Sequence, residues 1–381
     1  ADWGKMLRGR LVVRHVKLFA TQVRFGSTRH KVMSADDAVH LIHDGDTVTA
    51  GGFVAQNCAE EVLSALARRY QETKHPANLT VIFGGGPGDS KTKGLNHFGH
   101  DGMIRRTIAG HYGQTPMIGK MAQANKIEAY NLPLGSVSRM IRCAAAKLPG
   151  HITTVGFGTM ADPKNGGGKI NSMTKEDIVE VIELRGQKYL FYRAFPINVA
   201  IIRGTTADPN GNITMERESL YVDNLIQAMA ARASGGIVIA QVERVAAINS
   251  LHPRSVKIPG TLVDAVVVAK PENHRMSYYT DYNPAYAANI RAPVQMHMDF
   301  DERKIVARRA LLEVVPNQVV NLGIGMAEGV AICAEEEKVL KYFTLTTEPG
   351  VHGGVGASGH DFGPAMNYDG MLEMNQQFDF Y

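Results

Sequence analysis

Cysteine and tryptophan are scarce: three and one in 381 residues. Cys58, Cys143 and Cys333 lie far apart and form no CxxC pair. That excludes a thiolate zinc site and a disulfide framework, and it suits a reducing compartment. No apolar run approaches the 18 or more residues of a membrane span, so none is expected. No GxxxxGK[ST] phosphate loop is present. Acid is almost missing from the first 31 residues, where eight basic residues face Asp2 alone. That stretch carries +7 of a total of +4, so the remainder is about −3. The pI of 8.8 therefore reflects the leader and does not indicate a nucleic-acid surface.

The stretch from Met6, "MLRGRLVVRHVKLFATQVRFGSTRH", sets basic residues among Leu, Val and Phe, with Ser and Thr and no acid. This composition is that of an amphipathic mitochondrial presequence over residues 1–30, which places the protein in the mitochondrial matrix. The competing reading is a basic surface helix.

What the chain has in quantity is glycine, 39 residues, much of it in short loops after apolar runs. Strands are expected at 46–52, 78–89, 188–195, 198–204, 237–245 and 261–269. Helices are expected at 59–73, 221–236 and 302–314. Such alternation predicts an α/β fold with mainly parallel sheets. "DGDTVTAGGFVAQNCAEEVLSAL" (44–66) and "PNQVVNLGIGMAEGVAICAEEE" (316–337) share the order strand, glycine turn, helix. The echo predicts two α/β domains of one plan. Residues 31–275 form the first and 301–381 the second. Residues 276–300, rich in proline and tyrosine and without periodicity, read as the crossing between them.

Three glycine turns, at Gly51–Gly52, Gly84–Gly86 and Gly323–Gly325, let a ligand approach the backbone at a helix start. Each taken alone is more often a tight structural turn. The GxGxxG at Gly354, Gly356 and Gly359 is followed by Gly363, Pro364 and Gly370, which suit no dinucleotide helix. His97 and His100 lack a third metal ligand in sequence, so substrate lining or structure is expected there and no metal. One acid remains conspicuous. Glu348 ends a β-type run in "TLTTEPGVHGGVGASGHDFG" and is followed by glycines at 350, 353, 354, 356, 359 and 363.

These segments resemble the family I coenzyme A transferases, especially the acetate/propionate type with both halves in one chain. The resemblance runs from about Lys31 to Tyr381. It is carried by "DGDTVTAGGF" (44–53), "GLNHFGHDGMIRRTIAGHYG" (94–113), "GTTADPNGNITMERE" (204–218), "AKPENH" (269–274), "VNLGIGMAEGVA" (320–331) and the Glu348 segment. It implies two open, mainly parallel-sheet α/β domains, the second incomplete at Tyr381.

The resemblance further implies coenzyme A transfer between a short-chain acyl-CoA and a carboxylic acid, through a glutamyl-CoA thioester on Glu348. No metal or organic cofactor is implied, since the thioester supplies its own activation. Gly323, Ile324, Gly325 and Met326 would bind coenzyme A. Gly51, Gly52, Phe53, Asn96 and His97 would line the substrate. A homo-oligomer is implied, with no nucleic acid and no membrane span. Three departures are expected to matter. Asn57 and Ala59 stand where the family has Gly and Pro, Leu134 replaces a Gln amide that donates to the oxyanion, and the chain ends in mid-domain. The rival reading is a catalytically silent structural subunit of a larger assembly.

Overall fold

A strand buried on both faces reads as a continuous apolar run, and "VAIIR" (199–203) and "LTVIF" (79–83) are buried at every position. In a computed structural model of the chain, which describes residues 31–287, 290 and 297–379, these runs become the middle of a large sheet. Its order is Val32–Met33, Ala265–Val268, Ile237–Val242, Val199–Arg203, Thr47–Ala50, Leu79–Phe83, Ile104–Ala109 and Glu128–Asn131. Every pairing in it is parallel. Helix Glu60–Thr73 covers one face through Val62, Leu63 and Leu66. Helices Leu134–Ala145 and Asn224–Ala233 cover the other through Val137, Ile141 and Ile226.

The direction of winding reverses once. From Thr47–Ala50 the chain steps outward to Leu79–Phe83, Ile104–Ala109 and Glu128–Asn131. It then returns beside Thr47–Ala50 at Val199–Arg203 and winds the other way. The carboxyl ends of these two strands mark the usual ligand position of an open α/β sheet. Gly51 leaves the sheet at this point, its N–H donating to the Ile201 carbonyl at 2.9 Å.

The second sheet is small and mixed. Val319–Asn321 and Thr344–Thr346 run parallel, and Val351–His352 and Gly370–Met371 are antiparallel additions. Mainly parallel pairing therefore describes the large sheet, and the hairpin after Glu348 breaks it in the small one. The expected echo is present: strand, glycine turn and helix recur at Val319–Asn321 and Glu328–Glu336. Helices Glu302–Leu311 and Glu328–Glu336 pack through Ala307, Leu311, Val330 and Cys333.

One sequence expectation changes. The 188–195 run is a strand, Gln187–Arg193, but it pairs antiparallel with Gly150–Thr153 and Val179–Leu184 in a separate three-stranded sheet. Within the proposed crossing, Ser277 bridges Gln56, and the Tyr278 N–H donates to the Ala55 carbonyl at 3.2 Å. The proposed leader lies outside the described residues.

Candidate active site

Glu348 sits in the turn between strands Thr344–Thr346 and Val351–His352. The Gly350 N–H donates to the Thr347 carbonyl and the Thr347 N–H to the Val351 carbonyl, both at 3.0 Å. Gly350 has φ +106°, and a Cβ there would lie 2.3 Å from the Leu372 carbonyl oxygen. The turn thus requires glycine beside the acid, and it fixes where the acid points.

The carboxyl group is half-buried. Among the described residues no hydrogen bond or ion pair engages it. Burial alone pushes its pKa above the ordinary carboxylate value. A surface acid would be solvated, and a structural buried acid would be paired. Glu348 is neither, which is the condition of a group held for an incoming partner.

A cleft of about 30 Å³ adjoins Thr347, the residue before Glu348, and is lined also by Leu322, Gly323, Glu328, Thr346 and Ser358. The Gly323, Ile324 and Gly325 N–H groups donate to no acceptor among the described residues. A Cβ on Gly323 or Gly325 would meet nothing within 4 Å, so the protein's own packing leaves both positions open. Gly325 adopts φ +89°, and Ile324 and Met326 are exposed. Bare backbone, free donors and a helix start together suit an anionic or thioester ligand. Gly323, at the start of the 323–326 turn, and Thr347, the residue before Glu348, thus line one cleft. A larger cavity of about 410 Å³, lined by Arg203, Arg217, Glu243 and His274, lies elsewhere. Its Arg203 and Arg217 are already paired with Glu218 and Glu243.

The first-sheet turn reaches the same region. Phe53 is buried, and its ring centroid lies 6.0 Å from that of Phe362. A Cβ on Gly363 would come within 3.2 Å of the Phe53 ring. The Gly363 carbonyl accepts from the Thr347 hydroxyl at 2.6 Å. Phe53 is thus linked through 362–363 to the residue preceding Glu348, whereas Gly51 packs on Asn224 and Gly52 on Pro87 and Cys58. Cys58 is close by but buried, and burial pushes its thiol up to about 12. It is therefore no rival nucleophile. Asn57 has φ +55°, a backbone state that glycine and asparagine adopt most readily. Its amide donates to Glu218 at 2.9 Å and to the Leu220 carbonyl at 2.8 Å. The Gly-to-Asn departure is thereby accommodated.

Asn96 and His97 are engaged differently. The Asn96 amide donates to the Lys93 and Gln114 carbonyls and accepts from the Met117 N–H. It is a buried bracket between loops. His97 Nε2 meets Glu60 Oε1 at 2.7 Å, and Glu60 also accepts from the Gly94 N–H and the Tyr278 hydroxyl. Among the described residues no group of three His, Cys, Asp or Glu could hold a metal ion. No described helix is long and apolar enough to cross a membrane.

Leu134 begins helix Leu134–Ala145 and packs on the apolar cluster that joins Phe53 and Val222 to Val351, Phe362 and Met374. The position thus carries packing and no donor. Sequence reasoning missed Asp361, Ser277 and Thr280, described below. Their signal was weak, since single hydroxyls in a proline- and tyrosine-rich stretch mark no period.

The chain matches the coenzyme A transferase family over residues 32–269. It is 43% identical over 356 residues to caffeate CoA-transferase of Acetobacterium woodii, covering 92% of this chain and 68% of that one. It is 39% identical to acetate CoA-transferase YdiF of Escherichia coli K12, covering 93% and 67%. The crystal structure of the acyl-CoA transferase YdiF apoenzyme from Escherichia coli O157:H7 superposes with a TM-score of 0.87 at 38% identity, over 93% of this chain and 67% of that one. A second structure of that enzyme, a thioester complex with CoA, gives 0.86. With a family match across more than half its length and a relative alike along nearly all of it, the chain belongs to the family I coenzyme A transferases.

Proposed function

We propose that the chain transfers coenzyme A between a short-chain acyl-CoA and a carboxylic acid, with Glu348 as the nucleophile. The observation that carries this reading is the half-buried Glu348 carboxyl group, without a partner among the described residues, directly after Thr347 on the wall of a cleft that Gly323 also lines. The Glu348 carboxylate attacks the thioester carbonyl, and the C–S bond breaks to give a mixed anhydride and the CoA thiolate. The thiolate attacks the glutamyl carbonyl and expels the acyl carboxylate, leaving glutamyl-CoA. An acceptor carboxylate reverses the two steps. Poor solvation of the ionised carboxyl group favours attack, and N–H groups from the glycine turns are suited to each tetrahedral oxyanion, at about 3–4 kcal/mol per donor. The solved relative in thioester complex with CoA supports the covalent route by analogy.

The silent-subunit reading is not favoured. A homo-oligomer and the division at 276–300 are proposed from the resemblance. The mitochondrial address rests on the composition of residues 1–30 alone, and the relatives reported above are bacterial. The test is steady-state exchange between acyl-CoA and free carboxylates. Parallel double-reciprocal lines, abolished by Glu348→Gln, are expected. Intersecting lines that persist in Glu348→Gln would refute the reading.

A further inference from the structure

A single acid ties the glycine segment to the large sheet. Asp361 lies thirteen residues after Glu348 and belongs to the loop that closes back on Thr347. Its Oδ2 accepts from the Thr280 hydroxyl at 2.6 Å, and its Oδ1 accepts from the Ser277 hydroxyl. The Asp361 carbonyl accepts from the Gln56 amide at 3.0 Å. Ser277 is itself fixed. Its oxygen accepts from the Tyr279 and Thr280 N–H groups at 3.0 and 2.9 Å, which leaves its proton for Asp361. Next door, the Tyr279 ring stacks on His360 at 4.4 Å, and its hydroxyl donates to the Asp89 carbonyl at 3.0 Å.

The cup is thus built on the large-sheet side. Residues 276–280 are bonded to 55–57 through the Gln56–Ser277 bridge and the Asn57 and Tyr278 N–H groups. The group that enters the cup comes from the glycine segment. Two hydroxyls fix a carboxylate in place through short, charge-assisted bonds. From Asp361 the connection to the nucleophile is short: Phe362 packs on Phe53, and Gly363 holds the Thr347 hydroxyl.

We propose that Asp361 is a positioning residue of the transfer reaction, seating the glycine segment against the Phe53–Gln56 turn so that the thioester on Glu348 is aligned for a carboxylate and shielded from water. The proposal rests on Glu348 as nucleophile. If the clamp is released, water competes with the acceptor. Water adds to the glutamyl carbonyl, the C–S bond breaks, one water proton passes to the thiolate and the other to solvent, and CoA thiol leaves with the Glu348 carboxylate restored.

The test compares wild type with Asp361→Ala and Thr280→Val. The latter is nearly isosteric and leaves Asp361 in place, so it serves where the alanine variant does not fold. Three quantities are read in folded protein. They are acyl transfer, CoA thiol release without acceptor, and formation of the glutamyl-CoA adduct. The expected result is an adduct in every variant, transfer kcat lower by up to about 10²-fold in Asp361→Ala, little change in KM for acyl-CoA, and a higher ratio of hydrolysis to transfer. Thr280→Val should move the same ratio in the same direction, and Asp361→Glu should recover part of the loss. A purely structural role would lower the melting temperature without moving that ratio. An unchanged ratio in folded Asp361→Ala or Thr280→Val would overturn the proposal. Absence of an adduct in wild type would instead overturn the role of Glu348.

Discussion

Leu134→Gln sets two effects against each other. The wild-type side chain is half-buried on the cluster of Phe53, Val222, Phe362 and Met374. Full burial of a leucine is worth about 1.5–3 kcal/mol, so half of it lost to a polar amide costs about 1 kcal/mol. In a protein of this size that lowers the melting temperature by roughly 2 °C. The same substitution places a donor at the start of helix Leu134–Ala145, where the family carries one. A donor aimed at a developing oxyanion contributes about 3–4 kcal/mol to the transition state, or 10²–10³ in rate. The rate term is larger, so the variant should be slightly less stable and turn over faster. Leu134→Ala is the control, since it loses the packing and adds no donor. The assay is kcat for acyl exchange, read beside a thermal melt. If Leu134→Gln folds, binds acyl-CoA and turns over no faster than wild type, the reasoning fails, and backbone N–H groups alone must serve the oxyanion.

The remaining predictions concern protons. Because burial raises the pKa of Glu348, the acid limb of kcat/KM should lie above the ordinary carboxylate range, with activity rising as pH climbs through it. A limb at or below the ordinary value would contradict this. Burial also raises Asp223 to about 6. Glu373 is pushed to about 8, by burial first and then by the Asp223 charge. At these two sites the folded state holds protons that the unfolded chain has released, so their contribution to stability is greatest below the ordinary carboxylate range and falls as pH rises to about 8. Urea melts of Glu373→Gln should show a flatter decline than wild type between about pH 6 and pH 8, and an equally steep decline would count against it.

The parts of the fold that the sequence made legible are those where side chains carry a period or backbone carries a punctuation mark. Val199–Arg203 and Leu79–Phe83 are apolar throughout, and Glu60–Thr73 has its stripe, so each stood out. Ile104–Ala109 and Glu128–Asn131 did not, because Arg106 and Glu128 interrupt them. The structure explains those charges: the two side chains pair across the neighbouring strands. The antiparallel pairing of Gln187–Arg193 was invisible, since a strand's alternation does not state its partner's direction. At the site, Glu348 and the Gly323–Met326 turn were legible through resemblance, and in the structure Gly323 and Thr347, the residue before Glu348, line one cleft. Asn96 was legible as a polar residue near the right segment, but only the fold reveals that its amide is spent on three backbone groups. Asp361 and its hydroxyl cup join residues 81 and 84 positions apart, which no local pattern records.

The central claim is that Glu348 forms a bond to coenzyme A. The direct measurement is to incubate the protein with acyl-CoA in the absence of acceptor, reduce with borohydride, and locate the modification by peptide mass spectrometry. The account predicts one glutamate converted to the alcohol, in the peptide containing Glu348, and none in Glu348→Gln. Modification of a different residue, or exchange at the wild-type rate by Glu348→Gln, would contradict it.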